Sequence, residues 1–148
     1  MLIYDIYYDL AKCMSDVYEM HITSIHTLEL KKYIDCILKN VDPKTLLPVL
    51  ISCITNNNTY LFSILLSVIP KYVDTKMLYD ALSSTTDPVI VEELVMFCNK
   101  LAYEVYIYYI KCDRYDVIDR VRKYTHYSDY HTKKLAKQYN AKLILEKL

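Results

Sequence analysis

Glycine and tryptophan are absent from these 148 residues, phenylalanine occurs twice, and three arginines stand against fifteen lysines. Each scarcity excludes something. Glycine is the usual occupant of positive-φ positions in hairpin turns, helix C-caps and phosphate-cradling loops, because a Cβ disfavours that backbone region. A doubly wound sheet with a glycine-rich nucleotide loop is therefore excluded, and left-handed positions must fall to Asn or Asp, the side chains that tolerate them best. The five cysteines, Cys13, Cys36, Cys53, Cys98 and Cys112, are odd in number and contain no CxxC pair. Each lies in an apolar helical segment, where a free thiol acts as a small hydrophobe. The opening "MLIYDIYYDL" places Asp5 and Asp9 where a secretory signal needs a basic region and an apolar stretch, so an intracellular, reducing location is expected.

What is present is apolar and tyrosine-rich. Hydrophobic residues make up 53% of the chain and charged ones 24%, with 17 tyrosines. That balance suits a globular protein, and a chain of this length buries roughly 70% of its unfolded surface in one domain, here 1–148. The surplus of Lys, Tyr, Asn and Ile over Gly, Pro, Ala and Arg follows an AT-rich codon usage. In composition the chain resembles early proteins of poxviruses and other large DNA viruses.

The most apolar stretch, "LLPVLISCITNNNTYLFSILLSVI" at 46–69, poses an architectural choice. A membrane span needs about 20 uninterrupted apolar residues, whereas a polar run centred on Asn56, Asn57 and Asn58 divides this one. No membrane span is expected; the segment reads as two short buried helices with Asn58 or Thr59 capping the second. The same rhythm recurs at Asp87-Pro88, Asp113-Arg114 and Tyr139-Asn140, so the turns repeat at steps of roughly 26 to 30 residues, each marking a helix-turn-helix unit. The spacing predicts an all-α fold of about ten short helices: a helix pair in 1–41, then four hairpin units in 42–148. A unit this short cannot bury its own apolar face, and stacking solves that problem.

Residues 109–121, "YIKCDRYDVIDRV", and 135–146, "LAKQYNAKLILE", resemble the helical part of an ankyrin repeat, a pattern that covers 46–148. The chain departs from that family in lacking its Thr-Pro-Leu-His start and turn glycine and in having a period shorter than about 33. The resemblance implies stacked α-hairpins of a degenerate ankyrin-like kind. The alternative is a closed bundle with "LLPVLISCI" as its central helix, similar to the Bcl-type proteins that poxviruses carry.

For catalysis the inventory is poor. His21 and His26, like His126 and His131, are five residues apart and fall on different helix faces, away from the i, i+3 or i+4 spacing of a helical zinc site. The paired carboxylates Glu92-Glu93, Asp116 with Asp119, and Asp5 with Asp9 read as solvated helix faces, with Asp116–Arg120 and Asp119–Lys123 as i, i+4 ion pairs. No nucleophile motif is present. The expectation is therefore no enzyme, no catalytic residue, no metal and no cofactor.

Charge is unevenly distributed. Residues 1–110 hold eight basic and thirteen acidic side chains, and 111–148 hold ten and five. Tyr115, Tyr124, Tyr127, Tyr130 and Tyr139 interleave with the basic residues. In "YEVYIYYIKC", Tyr103, Tyr106 and Ile110 form one stripe, and Val105, Tyr108, Tyr109 and Cys112 another. Tyrosine contributes large contact area at small entropic cost. The candidate interaction surface is accordingly Tyr103, Tyr108, Tyr109, Arg120, Arg122, Lys123, Lys133, Lys134 and Lys137. The expected function is that of a viral factor binding a host protein in innate immune or cell-death signalling. The alternative is nucleic-acid binding by the basic, tyrosine-rich C-terminal third.

Overall fold

The computed structural model describes residues 43–69 and 75–148, as two compact units divided between Asp74 and Thr75. The expected helix pair in 1–41, with Cys13, Cys36, His21, His26, Asp5 and Asp9, lies outside the described residues. Among the described residues the structure is all-helical and contains no strand.

In the first unit, α1 (Pro43–Thr55) and α2 (Thr59–Val68) form the hairpin expected from the apolar stretch. Pro43 opens α1, while Pro48 lies inside it, where its missing N–H leaves the Lys44 carbonyl without the usual helical donor. Val49, Leu50 and Cys53 on α1, with Leu61, Phe62 and Leu65 on α2, are fully buried, at the three- and four-residue steps of a helix face. The Asn58 side chain caps α2 by accepting from Leu61 N–H at 3.4 Å.

The second unit contains α3 (Thr75–Asp80), α4 (Pro88–Phe97), a 3-10 turn at Asn99–Leu101, and α5 (Ala102–Lys111). It continues with α6 (Tyr115–Val121), a second 3-10 turn at Arg122–Tyr124, α7 (Asp129–Gln138) and α8 (Lys142–Lys147). Eight α-helices are thus seen among the described residues, against about ten expected for the whole chain. Asp87 accepts from Val89 N–H at 2.9 Å and Pro88 takes the first helical position of α4, the sequence signature of a helix start. Besides the hairpin contacts of α5 with α6 and of α7 with α8, helices pack on their second neighbours: α4 on α6, α5 on α7, and α6 on α8.

Three of the hairpins close with one and the same turn, and it shows how a chain without glycine makes it. Asn57, Asp113 and Asn140 have φ of 52°, 55° and 57°. In each, the residue that follows donates its N–H back five positions: Asn58 to Cys53 at 2.9 Å, Arg114 to Tyr109 at 3.0 Å, and Ala141 to Ala136 at 2.8 Å. These bonds satisfy carbonyls that the helix end would otherwise orphan. A fourth positive-φ residue, His126 at 62°, corrects the expectation that only Asn and Asp would fill such positions. Histidine is the next most tolerant side chain.

Polar side chains tie successive hairpins together. Tyr109 Oη donates to Ser83 O at 2.8 Å, and the Arg114 guanidinium reaches Ser84 O and Thr86 O in the same loop. Asp113 accepts from the N–H groups of Leu143 and Ile144 at 2.9 and 3.0 Å, capping α8 from one hairpin away. Tyr106 Oη and Thr132 Oγ1 lie 2.6 Å apart between α5 and α7. Two cysteines depart from the expected placement within helices: Cys98 and Cys112 stand at the C-caps of α4 and α5 and are half-buried, and among the described residues only Cys53 is a core thiol. Burial raises the Cys53 thiol to about 12.

Candidate interaction surface

Helix α5 partitions differently from the two stripes expected. Ala102, Val105, Tyr106, Tyr109 and Ile110 are buried as one face, while Tyr103 is 44% and Tyr108 40% exposed. A helix packed on both α6 and α7 needs a broad apolar face, and that face takes Tyr106 and Tyr109. Tyr109 is therefore a core residue rather than an interface residue, its hydroxyl spent on Ser83 and its phenol pushed up to about 12 by burial first. Tyr108 remains at the surface, edge-on to the Tyr109 ring at 5.0 Å.

From Tyr103 an aromatic ridge crosses to α7. Tyr127 is its hub, stacked on buried Tyr106 at 5.3 Å and 26° and meeting Tyr103 edge-on at 5.4 Å and 88°. His131 continues the ridge beside Tyr127, and Tyr130, 71% exposed, sits edge-on to His131 at 5.7 Å. Ser128 caps α7, accepting from His131 N–H at 3.3 Å, and its hydroxyl also lies 2.7 Å from His131 Nδ1. The first turn of α7 is thereby held in place.

Basic residues adjoin this ridge. Tyr130, Lys133, Lys134 and Lys137 share one face of α7 by their helical spacing, all are exposed, and the three lysines carry no ion pair among the described residues. Arg120 and Lys123 behave otherwise. Both converge on Glu92 of α4, at 2.9 and 3.1 Å, instead of on the i−4 partners Asp116 and Asp119 expected from the sequence. Glu92 wins because its half-buried carboxylate is poorly hydrated and already faces α6. Burial pushes that carboxyl up, but the hydrogen bonds from Arg120 and Lys123 outweigh it and hold the group below its ordinary range. Asp116 pairs with Arg114 at 2.9 Å, and Arg122 pairs with Asp129. Arg120 is thus a strut between α4 and α6, off the α7 stripe.

Between α6 and α7, Asp119, Arg122, Lys123, His126 and Tyr127 line an open cleft of about 450 Å³. His131, His126 and Asp119 had no place in the surface expected from the sequence, and Tyr127 and Tyr130 entered it only as aromatics interleaved with charge. The i, i+3, i+4, i+7 spacing of Tyr130 with the three lysines is the signal that could have picked out Tyr130. Nothing local marks Tyr127, whose role depends on α5 lying against α7.

Among the described residues no cluster of His, Cys, Asp and Glu is arranged to hold a metal ion, and no helix is long and apolar enough to cross a membrane. No protein-family model, curated protein or solved structure matches the chain.

Proposed function

We propose that this chain is a non-enzymatic interaction protein, a short stack of degenerate ankyrin-like hairpins that binds an acidic surface of another protein through α7 and the adjoining aromatic ridge. The observation that carries this reading is the stripe of Tyr130, Lys133, Lys134 and Lys137, exposed and without an ion pair among the described residues, beside Tyr103 and Tyr127. Exposed tyrosine with uncompensated positive charge is the composition that supplies contact area and steers an acidic partner. The second-neighbour packing of α4 to α8 supports the stack, since arrays of hairpins touch in that order. On the compositional resemblance to large DNA viruses, the partner is a host protein of innate immune or cell-death signalling, met in the cytoplasm.

Nucleic acid is the weaker occupant of the same face. Stacking a base needs an open ring face, and Tyr127 already spends its ring on Tyr106 and Tyr103. Asp119 and Asp129 also stand among the cations, where they repel a phosphate backbone. The test is affinity capture from transfected cells with the native chain and with K133E/K134E/K137E, alongside titration of a single-stranded oligonucleotide. A saturable protein partner that the triple reversal loses is the expected result. Retention of that partner by the variant, or oligonucleotide binding with a log–log salt slope of roughly −0.7 per phosphate contacted, overturns it.

A further inference from the structure

Arg122 leaves the positive charge of α7 without its natural partner. A lysine on a helix surface is usually matched by a carboxylate three or four residues away, best of all by one four residues earlier. For Lys133 that residue is Asp129, and Arg122 engages it from outside the helix. At those spacings Lys134 and Lys137 have only Tyr130, His131, Gln138, Asn140, Ala141 and lysine, and so no carboxylate. Lys133 and Lys137, four residues apart, repel each other instead. Three ammonium groups therefore share one exposed face within about 6 Å of helix rise, with Tyr130, 71% exposed, one turn before them.

Resting on the docking reading above, we infer that this face takes an acidic amphipathic helix of the partner protein, antiparallel to α7, with carboxylates in its first turns and an apolar side chain beyond them. An extended peptide gains its affinity by adding a strand to a sheet edge, and the described residues offer no strand. A helix bonds its own backbone and asks of its host only side-chain contacts. Direction follows from the two ends of the stripe. Lys133, Lys134 and Lys137 occupy the later turns of α7, and Tyr130 the first. Carboxylates stabilise a helix near its own N-terminus, so the acidic end of the partner helix comes first, and its later turns reach Tyr130 only if the two helices run in opposite directions. In that register acidic residues at i, i+3 and i+4 face Lys137, Lys134 and Lys133, and an apolar residue at i+7 meets Tyr130. An anionic membrane is the poorer occupant: lipid-binding clusters hold about four to eight basic residues, and this stripe has three.

The probes are three lactam-bridged helical peptides of one composition, titrated into the full chain and followed by NMR. The first carries Glu at i, i+3 and i+4 and Leu at i+7, the second reverses that order, and the third scatters the same residues around the helix. Saturable shifts along α7 and in the Tyr130 ring are expected from the first, with affinity about tenfold weaker for the other two, equivalent to about 1.4 kcal/mol. Tyr130→Ala should weaken the first peptide several-fold. The reversal K133E/K134E/K137E should abolish its binding and transfer the preference to a peptide with Lys in place of Glu, which an unfolded variant would not do. Equal affinity for the three peptides, shifts away from α7, no rescue by the lysine peptide, or tighter binding of phosphatidylserine vesicles or of a thymidine oligonucleotide overturns the proposal. If the three peptides bind alike while capture still yields a lysine-dependent partner, only the helix is refuted; a capture that yields no partner refutes the docking reading itself.

Discussion

Asp113 performs two separable tasks, and three substitutions resolve them. Its backbone at φ 55° closes the α5–α6 turn, and its carboxylate caps α8 through the N–H groups of Leu143 and Ile144 at 2.9 and 3.0 Å. Asp113→Asn keeps the backbone preference and one acceptor oxygen, so it should cost about 0.5 kcal/mol. Asp113→Gly keeps the turn but removes the cap and adds unfolded-state freedom, for about 1–1.5 kcal/mol. Asp113→Ala loses the cap and also forces a Cβ into the left-handed region, for about 2–3 kcal/mol in all. In thermal unfolding that is a loss of roughly 5–10 °C for the alanine variant. Hydrogen exchange localises the effect: the amides of Leu143 and Ile144 should lose protection in the glycine and alanine variants alike, since both lack the cap. Equal stability of those two variants would show that the turn carries no left-handed cost. A glycine variant as stable as the native chain would show that the cap contributes nothing.

Other outcomes follow from the core. Burial raises the Tyr109 phenol from about 10 to about 12, so the folded state holds that proton more tightly than the unfolded chain; its contribution is complete below pH 10 and is lost as pH rises toward 12. Tyr109→Phe should therefore flatten alkaline unfolding between those pH values, at a neutral-pH cost of about 1 kcal/mol for the bond to Ser83; an unchanged alkaline limb would refute the assignment. Native-state alkylation read by mass spectrometry should modify Cys98 and Cys112 well before Cys53, which is fully buried with its thiol pushed up to about 12; early labelling of Cys53 would mean that the α1–α2 hairpin opens freely. A double-mutant cycle of Tyr106→Phe and Thr132→Val should give a coupling of about 1 kcal/mol, because their hydroxyls pair 2.6 Å apart between α5 and α7. Additive losses would show that the pair does not join the two hairpins.

Among the described residues, local signals were enough to read the helical character and much of its punctuation. The Asn run at 56–58 divides the apolar stretch, Asp87-Pro88 starts α4, and Asp113 and Asn140 take the left-handed turns that glycine, absent here, would usually fill, because capping and positive φ are decided by a residue and its immediate neighbours. The exposed lysines of α7 were legible for the same reason. Tertiary structure alone decided which tyrosines became core and which became surface: Tyr106 and Tyr109 are buried because α6 and α7 lie against that side of α5, and nothing in "YEVYIYYIKC" states where those neighbours will be. It also paired Arg120 and Lys123 with Glu92 instead of the carboxylates one turn back, and gathered Tyr103, Tyr127 and Tyr130 into one ridge. Periodicity specifies how much of a helix must be covered. Only the packing of the chain against itself specifies what covers it.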